Sequence, residues 1–85
     1  MTVNGIMGEI ARYINRNSLF RASTTGDVIE IWKDGESVSL PPVMSIYCTI
    51  TGRIFVSNNE SRFVVGTVAE IHFADVVSAL YSICP

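Results

Sequence analysis

The sequence predicts an α+β protein: an N-terminal helix, an antiparallel β-meander of about four strands and a C-terminal helix, with both helices on one sheet face. Three observations predict it. Apolar residues recur at helical spacing near both ends of the chain, strict alternation fills the middle, and turn residues separate the alternating runs. The 85 residues are read as one domain spanning 1–85.

Residues 3–17 are predicted to form the first helix. Val3, Ile6, Met7, Ile10 and Ile14 keep the 3, 4, 7 spacing of one apolar face, and Thr2 is the expected N-cap. The opposite face carries Glu9, Arg12 and Arg16. Residues 18–27 are expected to be a connection in which Leu19–Ala22 forms at most a short strand. Ser23–Asp27 is turn chemistry.

The first hairpin is predicted from Val28–Lys33 and Glu36–Leu40, closed by Asp34-Gly35. Glycine tolerates the positive φ that a two-residue turn needs. This register sets Lys33 opposite Glu36, Trp32 opposite Ser37, Ile31 opposite Val38 and Ile29 opposite Leu40, so apolar pairs share a face. Pro41-Pro42 ends the strand.

From 44 to 57 apolar residues hold the even positions: Met44, Ile46, Cys48, Ile50, Ile54 and Val56. The phase continues across Gly52, which favours a bend in one long strand over a tight turn at Thr51-Gly52. A second hairpin is predicted at Asn58-Asn59, with Ile54 opposite Phe63, Gly52 opposite Val65 and Phe55 opposite Arg62. The strand should end near Gly66. A helical turn is expected at the capping-box pattern Thr67-Val68-Ala69-Glu70, followed by a helix from Asp75, as cap, to Cys84. Val76, Ala79, Leu80 and Ile83 form its apolar face.

Helices laid on one sheet face would cover Ile29, Ile31, Val38, Leu40, Ile46, Cys48, Ile50, Ile54, Phe63 and Val65. Alternation then puts Val28, Glu30, Trp32, Tyr47, Thr49, Arg53, Phe55, Arg62 and Val64 on the other face. A sheet face open to water is normally polar, and this one is mixed. Aromatic residues and arginine are the residues enriched at binding hot spots.

Charge supports the same inference. Charged residues make up 16% of the chain, against about 25% in an ordinary domain. So short a chain buries only about 60–65% of its unfolded surface. Apolar surface is therefore expected in excess, to be covered by a second copy or a partner. The predicted protein-binding residues are Trp32, Tyr47, Arg53, Phe55, Arg62 and Val64. Arg12, Arg16 and Arg21 form a basic group that an anionic partner would contact. A net charge of −2 with six basic residues argues against a nucleic-acid binder.

The sequence holds no run of about 18 apolar residues, so no membrane span is expected. The N-terminus lacks the basic start and apolar core of a signal peptide. The predicted location is cytoplasmic, with Cys48 and Cys84 as free thiols.

Residues for catalysis are sparse. His72 is the single histidine, and Cys48, Cys84 and Ser78 are the available nucleophiles, with Glu70 or Asp75 to orient the histidine. None lies in a nucleophile elbow. Two isolated cysteines and one histidine lack the paired spacing of a zinc site, and no phosphate-binding loop is present. No cofactor or metal is expected. The expected function is non-catalytic: a protein-binding protein, a homodimer acting on another macromolecule, of the accessory or inhibitory kind that phages and mobile elements encode. The alternatives are a small enzyme or ligand carrier using Cys48, Cys84 or His72, and a nucleic-acid binder using the arginine group.

Overall fold

A computed structural model describes residues 3–33, 35 and 41–84. The order is α1 (Val3–Asn17), β1 (Phe20–Thr25), β2 (Val28–Lys33), β3 (Met44–Cys48), β4 (Arg53–Ser57), β5 (Arg62–Thr67) and α2 (Phe73–Ile83). The five strands form one antiparallel meander in the order β1-β2-β3-β4-β5. The fold is α+β, as the sequence predicts, with five strands among the described residues.

The predicted span of α1 agrees with the structure. Its stripe Ile6, Met7, Ile10 and Ile14 packs in one cluster with Ile29 and Ile31 of β2, Met44 and Ile46 of β3, Ile54 and Val56 of β4, and Val76 and Leu80 of α2. These strand residues share one face through the registers Ile29↔Ile46 and Ile46↔Val56. Both helices therefore lie on that face. Among the described residues no polar or charged side chain is buried, so the core is held by apolar burial, at about 25 cal/mol per Å².

Aromatic side chains tie the helices together and to the sheet. Tyr13 of α1 meets Phe73 of α2 at 5.5 Å. Phe20 of β1 meets Tyr81 of α2 at 4.9 Å. The Leu19 N–H donates to the Tyr81 hydroxyl at 2.9 Å, which fixes the end of α2 to the α1–β1 corner.

β1 is a full strand where the sequence led us to expect a connection with at most a short strand at Leu19–Ala22. It pairs with β2 along its whole length, from Phe20↔Lys33 to Thr25↔Val28. Gly26-Asp27 closes this hairpin, with Gly26 at φ +66°. Glycine at the first position of a two-residue loop is the type II′ signature. β2 thus has β1 on one edge and β3 on the other, with Ile29 beside Thr24 and Ile46, and Ile31 beside Ala22 and Met44. The expected pairs of Ile29 with Leu40 and Ile31 with Val38 involve residues outside the described ones. The predicted strand Glu36–Leu40, the residue Asp34 of its turn and the Thr2 cap lie outside the described residues.

The expected bend at Gly52 is a hairpin turn. The Gly52 N–H donates to the Thr49 carbonyl at 2.9 Å and the Thr49 N–H to the Arg53 carbonyl at 2.8 Å. Gly52 adopts φ +85°, the left-handed position that ends a three-residue hairpin loop. Alternation could not separate the two readings. A three-residue loop pairs even positions with even, as in Cys48↔Ile54, so the phase across Gly52 is the same as in one long strand. Ile50, assigned to the core face, instead stands at the loop tip fully exposed.

Near its turn the second hairpin is slipped by two residues from the predicted register. An irregularity between Ile54 and Phe55 then sets Ile54 opposite Gly66 and Arg53 opposite Thr67, so the expected pairs of Ile54 with Phe63 and Gly52 with Val65 are corrected. Val56 rather than Ile54 faces Phe63, Phe55 faces Val64, and Ser57 faces Arg62. The expected two-residue turn at Asn58-Asn59 needs positive φ, and among the described residues only glycines have it. The chain uses the longer loop Asn58–Ser61. The Asn58 Oδ1 accepts the N–H groups of Glu60 and Ser61 at 2.9 and 2.8 Å, an Asx turn. A shift of two preserves the faces. Phe63 keeps its predicted side but stands 48% exposed, on an edge strand.

Thr67–Glu70 is not a helical turn. Thr67 and Glu70 exchange both backbone hydrogen bonds, at 2.9 and 3.2 Å, and this tight pair returns the chain to form the bridge Gly66↔Ile71. The Thr67 hydroxyl accepts the Glu70 N–H at 3.1 Å, as in a capping box, but no helix follows it. His72, not Asp75, is the N-cap of α2. It is extended and makes no side-chain cap bond, and Asp75 lies inside the first turn, where a carboxylate suits the helix dipole.

Both sheet edges are partly closed. On β1, Ala22 gives its N–H to Asn15 Oδ1 at 2.8 Å and receives Asn15 Nδ2 on its carbonyl at 2.9 Å. The Asn15 amide stands in for a neighbouring strand. Asn15→Ala is expected to cost about 1–3 kcal/mol, the net value of two hydrogen bonds. The urea midpoint should fall, and amide exchange at Ala22 should accelerate more than at Ile31; unchanged exchange at Ala22 would exclude this clamp.

Candidate functional site

The sheet face away from the helices carries the side chains that the packing leaves over. Its centre lies on β3, β4 and β5. The pairs Tyr47↔Phe55 and Phe55↔Val64 set three apolar side chains in a row across the strands. Alternation forces this, because Ile46, Ile54 and Val56 point the other way and are fully buried.

The Tyr47 and Phe55 rings stack on each other, with centroids 5.4 Å apart and planes 14° from parallel. The Arg62 guanidinium lies 5.5 Å from the Phe55 centroid and donates from Nη1 to the Tyr47 hydroxyl at 3.4 Å. Arg62 faces Ser57 across the strands, so it reaches Phe55 diagonally, as long side chains do on a sheet. The predicted neighbourhood of Phe55 and Arg62 is therefore present, although their predicted direct pairing is not. Val64 is 54% exposed, and Arg53 is exposed at the start of β4. Tyr47, Arg53, Phe55, Arg62 and Val64 form one patch.

Trp32 does not join this patch. Its position opposite Arg21 on β1 puts it on the predicted face, yet it is 5% exposed within the single chain. The expectation that Trp32 is an open binding anchor is corrected: a ring already desolvated in the monomer gains little on binding. Its alternation gave the direction of the side chain, not its cover.

The basic group is divided. Arg12 and Arg16 line an open groove of about 400 Å³ with Glu9, Tyr13, Asn17 and Phe73, between α1 and the start of α2. Arg21 neighbours Ala22, whose side chain is buried in the core, so Arg21 projects from the opposite sheet face. Chain proximity suggested one cluster, and the α1–β1 corner puts the sheet between its members.

Residues suited to catalysis do not converge. Cys48 packs half-buried at the margin of the core and donates to the adjacent Thr49 carbonyl at 3.4 Å. His72 is exposed at the start of α2, and Cys84 is the C-cap at its other end. Asp75 and Ser78 are exposed on α2. Among the described residues no group of three His, Cys, Asp or Glu side chains is placed to hold a metal. No helix there is long and apolar enough to cross a membrane.

No protein-family model matches the chain, and no curated protein or solved structure matches it.

Proposed function

We propose that this chain is a non-catalytic protein-binding module that acts by occupying a surface on another protein through its outer sheet face. The observation that carries the reading is the stacked Tyr47–Phe55 pair, with Arg62 held against it. Aromatic side chains offer large contact area with few rotors to freeze, and arginine beside them supplies directional polar contacts. The low charge of the chain supports the reading from composition.

Affinity capture from an extract of the source cells, comparing the wild-type chain with Phe55→Ser, tests it. Phe55 lies away from the core, so the variant should remain folded, with an unchanged far-ultraviolet circular dichroism spectrum. A hot-spot residue contributes about 2 kcal/mol or more, so retention of the bound protein should fall roughly thirty-fold. Equal retention by both chains, or no retained protein, would exclude the outer face as a binding surface.

Self-association is a second reading, and the edge of β5 supports it. Ile71 closes that edge at Gly66, but Phe63 and Val64 are both exposed, one on each side of the strand. Pairing of two β5 strands would bury them and satisfy their backbone groups. Sedimentation velocity over a concentration series should then show a dimer that Val64→Lys abolishes. A monomer at every concentration would exclude it.

A further inference from the structure

We propose that the partner bound by the outer sheet face is an acidic protein segment, whose carboxylates are received by Arg53 and Arg62 beside an apolar side chain seated on Phe55 and Val64. This rests on the protein-binding reading and adds the chemistry of the partner.

Charge on this face runs against charge on the chain. The whole chain carries a net −2. Among the described residues, the outer face displays Arg21, Arg53 and Arg62 against the single carboxylate Glu30. That carboxylate is engaged elsewhere, since its Oε1 accepts the Thr25 hydroxyl at 2.9 Å. Neither Arg53 nor Arg62 has a carboxylate partner among the described residues. Two guanidinium groups thus stand unneutralised on a chain with an excess of acids.

Arg62 is also pre-positioned. The Phe55 ring lies below it at 5.5 Å, and Tyr47 accepts its Nη1 at 3.4 Å. An ordinary surface arginine loses much rotamer freedom on binding, while one already held against a ring loses less. A planar guanidinium leaves further N–H groups for a two-pronged contact with a carboxylate, which is shorter and stronger than a neutral hydrogen bond. The apolar neighbours exclude water and strengthen that contact.

Two other occupants fit less well. A second copy docked on this face about a twofold axis would set like patches together, guanidinium against guanidinium. Single-stranded nucleic acid stacks its bases on ring faces left open. Here Tyr47 and Phe55 turn a ring face toward each other, and Arg62 lies over the Phe55 ring.

The test is a titration of the ¹⁵N-labelled chain at low salt, with three probes: a random glutamate–tyrosine copolymer, poly-lysine and a fifteen-residue oligothymidine. The copolymer is expected to shift the Arg53 and Arg62 Nε–Hε signals and the amides of β4 and β5, and to weaken as salt is raised. Poly-lysine should leave them in place. Arg53→Gln with Arg62→Gln should weaken copolymer binding about tenfold or more without moving the thermal transition. Arg62→Lys should recover only part of it, because a lysine cannot make the two-pronged contact. Absence of shifts on this face, or tighter binding of the oligothymidine there, overturns the inference. In the extract capture, a partner whose retention depends on Phe55 but not on Arg53 and Arg62 overturns it while leaving the protein-binding reading intact. No retained partner overturns both.

Discussion

Ile46→Ala is expected to lower the stability of this protein by about 2–5 kcal/mol, the cost of truncating a buried isoleucine to alanine. Ile46 is on the middle strand of the sheet. It pairs with Ile29 on one side and Val56 on the other, and all three are fully buried beneath the two helices. Neighbours fixed by strand pairing on both sides cannot collapse into the space, so the cavity term remains in full. A chain of this length has only about 4–13 kcal/mol of stability in total, at about 0.05–0.15 kcal/mol per residue. Thermal unfolding followed by circular dichroism should show a fall of roughly 10 °C or more. Ile50→Ala is the control: the same chemical change at a fully exposed loop tip is expected to stay within about 0.5 kcal/mol. Comparable losses at the two positions would contradict the arrangement of the core.

Gly66→Ala is expected to destabilise by about 1–3 kcal/mol, in the manner of overpacking. A Cβ at this position would lie 2.9 Å from the Glu70 carbonyl oxygen and 3.2 Å from the Ile71 Cα. Both are backbone atoms, so no side-chain rotation relieves the clash. The return of the chain from β5 to α2 depends on this close approach, through the Gly66↔Ile71 bridge and the Thr67 N–H bond to Glu70. Amide exchange at Thr67 should therefore rise together with the loss of stability. Gly35→Ala makes a useful contrast, because nothing lies within 4 Å of a Cβ there. Its cost should come from its positive φ of 85° alone, about 1–2 kcal/mol, with no change in exchange at Thr67. Wild-type stability in Gly66→Ala would show that the 67–71 turn can move away freely.

The two corrected hairpins share a cause. Alternation reports which face a residue takes, and it is blind to changes that preserve parity. A three-residue loop at Ile50–Gly52 and the two-residue slip of Phe55–Ser57 against Arg62–Val64 both leave the faces intact. Hence Ile29, Ile31, Ile46 and Ile54 were legible as core, while their cross-strand partners were not. β1 was missed for a different reason. Ser23, Thr24 and Thr25 are polar because they lie on an edge strand, and polarity beside a glycine reads as a loop. Gly26-Asp27 was a legible hairpin signal, but Asp34-Gly35 was the stronger one and drew the pairing of β2 toward Glu36–Leu40.

The candidate site was readable to the same depth. Tyr47, Phe55, Arg62 and Val64 follow from parity alone. That the rings stack, and that Arg62 lies over one of them, follows from diagonal geometry no one-dimensional pattern contains. The separation of Arg21 from Arg12 and Arg16 is likewise invisible in a sequence, where the four residues between Arg16 and Arg21 look like proximity.

By itself, then, the sequence determined the span of α1, the presence of a C-terminal helix, the faces of Ile29, Ile31, Ile46 and Ile54 and the α+β class, because these are set by local period and propensity. Tertiary structure alone decided the strand neighbours, the burial of Trp32 and the assembly of the aromatic–arginine patch. These depend on which surfaces meet, and one period of alternation is compatible with several such meetings. Burial is a property of the cover as well as of the covered residue.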